Sequence, residues 1–293
     1  MTAIARPRRR LRALAGATLA AAAVISSVAA SQATAVRTGK AVDPAAWPFI
    51  VALQRPGQND FEDQFCAGTL VAPDRVLTAA HCVIGDEGQV VAPRTIQVRV
   101  GGEPLARSRT LRLQVAAIRV HPGYEPDGRR GWDAAVLVLK TRAANAPIRV
   151  ALPSDAAAEA PGKPALVAGW GDLTDGNRRF PTTLRGAAVP IVAPARCGKL
   201  LGPMFNRASD LCAGIMRPGG PDTCKGDSGG PLIVAATTGE PILAGITSGG
   251  YGCGRTHSPG VYTKVSRLTE WLAEQGVPVA PAPEPVPVPT PTA

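Results

Sequence analysis

The 293-residue chain has little from which to build a metal centre: three histidines that do not cluster, and six cysteines without a Cys-x-x-Cys pair. That excludes the usual zinc clusters. The acidic pair Asp86 and Glu87 is too small for a calcium cage. Aromatic residues make up only 4% of the chain, and the basic pairs Arg129-Arg130 and Arg178-Arg179 are scattered and lack interleaved aromatics. Solvated loop charge therefore explains them better than a nucleic-acid face. No internal repeat is present, and an apolar run approaching membrane-spanning length occurs once, over residues 13–30.

That run follows a head containing Arg6, Arg8, Arg9, Arg10 and Arg12, is rich in Ala and Ser, and closes on Ala33-Thr34-Ala35. Basic head, apolar middle and small-residue end predict a secretory signal peptide over residues 1–35, with a cut after Ala35 or after Ala30. The Arg8-Arg9-Arg10 run leaves both Sec and twin-arginine export open. The expected product is extracellular and carries no membrane segment. Losing five arginines takes the formal charge from +10 to +5.

In an exported chain six cysteines imply disulfides. Fifteen pairings are possible; local spacing favours Cys66 with Cys82, Cys197 with Cys212, and Cys224 with Cys253. In the loop-entropy account each contributes about 3 kcal/mol.

Hydrophobic residues at 45% are ample for a core. Short apolar or alternating runs recur at 49–53, Ile96-x-Val98-x-Val100, 111–120, 134–139, 165–169, 232–235, 242–246 and 261–265. Gly, Pro and Asp clusters separate them, which predicts an all-β barrel or sandwich protein. A helical period occurs only near the end, with Ser266 as cap, Leu268, Trp271 and Leu272 on one face, and Gly276 and Pro278 as stop. From 277 to 293 Pro alternates with Val, Ala and Thr. That composition cannot build a core and predicts a disordered tail or an extended spacer.

Chemistry concentrates in DTCKGDSGGP at 222–231, where Ser228 stands among glycines with Asp222 and Asp227 nearby. A serine hydroxyl is a weak nucleophile and needs a base, which in turn needs a third group to fix its tautomer. Histidine suits the base, since imidazole titrates near about 6.5. His81 lies in TAAHC beside a cysteine, whereas His121 in HPGY and His257 in a Gly/Pro-flanked turn read as surface residues.

TAAHC at 78–82, DAAVLVL at 133–139 and GDSGGP at 226–231, in that order, together with CAGTL at 66–70, AGWG at 168–171 and GVYTKV at 260–265, resemble the chymotrypsin family of serine proteases over most of residues 36–275. The resemblance implies two packed six-stranded antiparallel β-barrels with a C-terminal helix, and a protease domain over 36–276. It implies His81 as general base and then acid, Asp133 as its orienter, and Ser228 as nucleophile. The N–H groups of Gly226 and Ser228 would form the oxyanion hole. Asp222 would sit at the base of the pocket for the residue before the cut, Gly250 and Gly260 would keep that pocket open, and Ser248 and Gly250 would bond the substrate strand. Asp227 would pair with a new amino group on Val36.

The implied activity is a trypsin-like endopeptidase cutting after Arg or Lys, without cofactor or metal. The expected partners are protein or peptide substrates and protein protease inhibitors, and a monomer is expected. A catalytically inactive binding protein of this fold, and a chymotrypsin- or elastase-like specificity, are the alternatives. Gly249 stands where the family usually has an aromatic wall. Ala165 and Val234 stand where many relatives have a further disulfide.

Overall fold

Twelve of thirteen strands fold into two closed barrels in the computed structural model, which describes residues 39–57, 59–106, 111–126, 131–176, 180–218 and 220–280. The leader, Val36, both basic pairs and the tail from 281 onward lie outside the described residues. The first barrel uses β2 (Ile50–Gln54), β3 (Gln64–Ala72), β4 (Arg75–Thr78), β5 (Gln97–Val100), β6 (Leu113–Val120) and β7 (Ala135–Leu139), closed in the order β2-β3-β4-β7-β6-β5. The second uses β8 (Pro164–Gly169), β9 (Arg185–Val192), β10 (Asp210–Ala213), β11 (Pro231–Ala235), β12 (Pro241–Gly249) and β13 (Gly260–Lys264), and the β8–β9 pairing closes it. The short β1 (Lys40–Ala41) adds to β9. All pairings between these strands are antiparallel, so the expected two-barrel architecture is what forms.

Burial explains why some strands are wholly apolar and others alternate. All of IVALQ in β2 is buried, and AVLVL in β7 nearly so, because both barrel faces are covered. In β6 only Val115 and Ile118 are fully buried, which leaves an alternating, half-solvated pattern. The second barrel packs small residues, among them Ala165, Ala187, Ala213 and Ala244, around Leu232, Ile242 and Tyr262. Ala165 lies opposite Val234 across β8 and β11, and both are buried. An apolar pair thus fills the place where relatives can carry a cystine.

Two helical features differ from the sequence reading. Helix α1 (Pro194–Leu201) was not anticipated; it starts with Pro194 in its first turn and buries only Cys197 and Leu201, too few apolar positions to show a period. The terminal helix α2 (Thr269–Glu274) buries Trp271 and Leu272 against the first barrel, with Gly276 at φ +75° beyond its end. Ser266 does not cap it: the chain first makes a 3-10 turn over Val265–Arg267, and Ser266 Oγ donates to Glu159 Oε2 at 3.1 Å. Among the described residues no helix is long and apolar enough to cross a membrane.

The three cystines form as the spacing suggested, and no free cysteine remains among the described residues. Cys66–Cys82 ties β3 to the turn that carries His81, Cys197–Cys212 ties α1 to β10, and Cys224–Cys253 joins the loop that carries Ser228 to the loop between β12 and β13.

Candidate active site

His81 sits in a 3-10 turn directly after β4, and Asp133 two residues before β7, the strand paired with β4. That pairing brings residues 52 apart in sequence into contact. His81 Nδ1 lies 2.7 Å from Asp133 Oδ2, and the His81 backbone N–H donates to Oδ1 at 2.9 Å. With Nδ1–H facing a carboxylate, Nε2 keeps its lone pair and can accept a proton. Asp133 is buried and His81 is about one-third exposed, so the acceptor nitrogen remains reachable.

Ser248 completes the carboxylate's surroundings. Its Oγ donates to Asp133 Oδ2 at 2.7 Å. The register between β12 and β13 shifts between Thr247 and Gly249, so Ser248 occupies a bulge, which re-aims its side chain. Burial by itself would raise the Asp133 pKa; the charge of His81 and the hydrogen bonds from His81 and Ser248 outweigh it and hold the carboxyl below its ordinary value. The sequence reading gave Ser248 only a backbone role and missed this contact, because a bulge leaves no mark in composition.

Ser228 stands in the loop between β10 and β11. Its carbonyl accepts from Ala67 N–H of β3 at 2.7 Å and lies 3.7 Å from Sγ of Cys82, the residue after His81. The two barrels thus meet at the segments that carry the serine and the histidine. Gly226, at φ +96°, takes a conformation open to glycine, and a Cβ there would come within 3.2 Å of Gly171 Cα. Gly229 has a second reason to lack a side chain: a Cβ there would collide with Thr78 Oγ1 and Ala67 O.

A cavity of about 170 Å³ is lined by both Asp222 and Ser228, with Thr223, Gly249, Gly250 and the Cys224–Cys253 bridge around them. Asp222 is buried, at 4% exposure, and its Oδ2 accepts from Gly254 N–H at 2.8 Å. At Gly260 a Cβ would stand 3.1 Å from Asp222 Oδ1 and 3.0 Å from the Tyr262 hydroxyl, so any side chain would take the space beside the carboxylate. Asp175 also lines this cavity, a residue the sequence did not single out; it is paired with Arg255 at 2.8 Å. A second cavity of about 340 Å³, lined by His81, Asp133, Ser248 and Tyr124, adjoins the first through Gly249 and Gly250.

Asp227 is fully buried. Its oxygens accept from Gly171 N–H at 2.7 Å and Cys224 N–H at 2.9 Å. Burial pushes its carboxyl up to about 7, against those two bonds. Among the described residues, the groups with metal-type donors are Cys66, His81 and Cys82, and Asp175, Cys224 and Cys253. Their sulfurs are joined in disulfides and offer no thiolate ligand.

Comparison with known proteins agrees with this geometry. The Trypsin family model matches residues 36–272. A trypsin of Saccharopolyspora erythraea is 39% identical over 228 residues, covering 78% of this chain and 92% of its own length. Human serine protease 56 is 36% identical and pig coagulation factor XII 38% identical; they align to 81% and 79% of this chain, which spans only 38% of the length of each. The solved structure of neuropsin, a serine protease expressed in the limbic system of mouse brain, superposes with a TM-score of 0.67 at 30% identity, covering 81% of this chain and 98% of that one. With a matched family model over most of its length and two closed antiparallel barrels, the chain belongs to the trypsin family of serine proteases.

Proposed function

We propose that the chain is a secreted endopeptidase that hydrolyses peptide bonds after Arg or Lys through an acyl-enzyme. Ser228 Oγ attacks the scissile carbonyl while His81 Nε2 takes its proton; His81 then gives that proton to the leaving amine, and water repeats the sequence to release the acid. Asp133 fixes the Nδ1–H tautomer and stabilises the imidazolium that forms. The N–H groups of Gly226 and Ser228 receive the developing oxyanion, a contribution worth roughly 3 to 4 kcal/mol per donor. Ser248 and Gly250 bond the substrate strand through their backbones.

One observation carries the specificity: the buried Asp222 carboxylate lines the same cavity as Ser228. An arginine or lysine side chain brings the opposite charge to Asp222. A hydrocarbon side chain would only strip water from it, at a penalty of several kcal/mol.

The same reading assigns residues 1–35 to export, 36–276 to the protease domain and 277–293 to an extended tail. A cut after Ala35 would free the Val36 amino group, and the burial that raises Asp227 favours bringing a cation to it. Protein substrates and inhibitors that present a basic residue to this cavity are the proposed partners, with the enzyme acting as a monomer.

The test is labelling by a phosphonate bearing an arginine-like side chain. Stoichiometric modification mapped to Ser228, and its absence with an alanine-like phosphonate, are expected. Equal labelling by both would remove the Arg/Lys reading, and labelling by neither would remove the enzymatic one.

A further inference from the structure

Gly226 is flanked by two peptide planes, and each is held by a hydrogen bond. The plane before it, which carries the Gly226 N–H, has its carbonyl, Lys225 O, accepting from Asp172 N–H at 2.8 Å. The plane after it has Gly226 O accepting from Gln64 Nε2 at 2.8 Å, while its N–H, that of Asp227, donates to Cys224 O at 2.9 Å. Glycine turns about its backbone bonds more freely than any other residue, so the direction of the Gly226 N–H depends on these restraints.

Gln64 opens β3 in the first barrel, 162 residues from Gly226 in the second. Its other amide proton goes to Cys66 O at 3.0 Å. Both facing atoms are carbonyl oxygens, which only the nitrogen end of the amide can satisfy. The side chain therefore staples β3 to the serine loop, beside the Ala67 N–H bond to Ser228 O.

We infer that Gln64 is a positioning residue for the oxyanion hole: by holding Gly226 O, it fixes the plane after Gly226 and, together with the Asp172 bond on the plane before it, keeps the Gly226 N–H turned toward the point where the substrate carbonyl oxygen acquires charge. The inference rests on the proposed reading of Gly226 and Ser228 as the oxyanion donors. A restraint of this kind acts on the transition state and leaves ground-state binding in the Asp222 cavity untouched.

The experiment compares the wild-type enzyme with Gln64→Met, which keeps the length of the side chain and loses both donors. For an Arg amide substrate kcat should fall about 10- to 100-fold with KM changed less than about twofold. The inhibition constant of an arginine aldehyde, whose hemiacetal oxygen would use the hole, should rise by a similar factor, while that of benzamidine, a cation for the Asp222 cavity, should stay within about twofold. Wild-type kcat in the variant, or weakening of benzamidine in step with kcat, would overturn the inference. If Gln64→Met does not fold, Gln64→Glu replaces it: its carboxylate faces two carbonyls when ionised, so kcat should drop further as that group deprotonates, and a pH profile parallel to wild type would overturn the inference. A wild-type chain that neither hydrolyses the amide nor binds the aldehyde would remove the reading beneath it, a result distinct from unchanged variants of an active enzyme.

Discussion

Ser248 Oγ donates to Asp133 Oδ2 at 2.7 Å, reaching from a bulge in the second barrel to a carboxylate in the first. The same oxygen faces His81 Nδ1, so one carboxylate atom takes two bonds. Asp133 has its pKa held down partly by this donor. A carboxyl lowered on folding adds stability that is complete above its unfolded value and lost as pH falls through the folded one. Ser248→Ala should therefore move the acid limb of both activity and stability to higher pH, and lower kcat/KM about tenfold near neutrality. Rate profiles between about pH 4 and 8, where imidazole titrates, and melting profiles between about pH 2 and 5, which spans the ordinary and the lowered carboxyl values, check this, and superimposable profiles would contradict it.

Asp222 and Ser228 share one cavity, and the proposed specificity rests on that single charge. In Asp222→Ser, turnover of Arg and Lys amides should fall by about 10³-fold or more, while hydrolysis of small activated esters, which need the nucleophile but not the cation site, should persist. Steady-state kinetics on the two substrate types measure the separation.

Asp227 gives a prediction about the N-terminus. Burial raises its carboxyl to about 7 from 3.8. A raised folded value means that stability is complete below the unfolded pKa and declines as pH rises through the folded one. In protein beginning at Val36 the new amino group would supply the opposite charge and remove that decline. The melting temperature of protein that begins at Ser31 should therefore drop further below that of protein that begins at Val36 as pH rises from about 4 to 8, the span bracketing the two values to within about a unit. Equal declines in both would contradict the pairing.

His121 is packed between two tryptophans: its ring stacks on Trp132 with centroids 4.9 Å apart and meets Trp271 edge-on at 5.0 Å. Burial lowers its pKa. The unfolded chain therefore binds a proton that the folded chain refuses, and stability should be lost as pH falls below about 6.5. His121→Phe keeps a ring in the stack and cannot titrate, so its melting temperature should fall less steeply from pH 7 to 5, about the span of a lowered imidazole. An identical slope would place the acid sensitivity elsewhere.

These contacts also mark what the sequence made legible. Strands rich in Val, Ile and Leu, such as β2, β7 and β11, were readable because both faces or one alternating face is apolar. Strands β3 and β9 were not: QFCAGTLVA and RGAAVPIV spend their positions on Ala, Gly, Cys and Pro, which suit a narrow barrel interior and carry weak β-propensity. Of the candidate site, His81, Asp133 and Asp222 came from motif and register, and the folded chain brings the first two into contact. Ser248 at the bulge, Gln64 under Gly226 and Asp175 beside the cavity depended on contacts between barrels and loops far apart in sequence. No local pattern encodes such contacts.

The central claim is Ser228-dependent cleavage after a basic residue. It is tested most directly by kcat/KM for four peptide amides that differ only in carrying Arg, Lys, Phe or Ala before the cut, measured with protein beginning at Val36 and with its Ser228→Ala variant. The account predicts rapid hydrolysis of the Arg and Lys amides, rates about 10³-fold or more lower for Phe and Ala, and loss of about 10⁴-fold or more on all substrates in the variant. Phe or Ala amides cleaved as fast as Arg, or cleavage that survives Ser228→Ala, would contradict it.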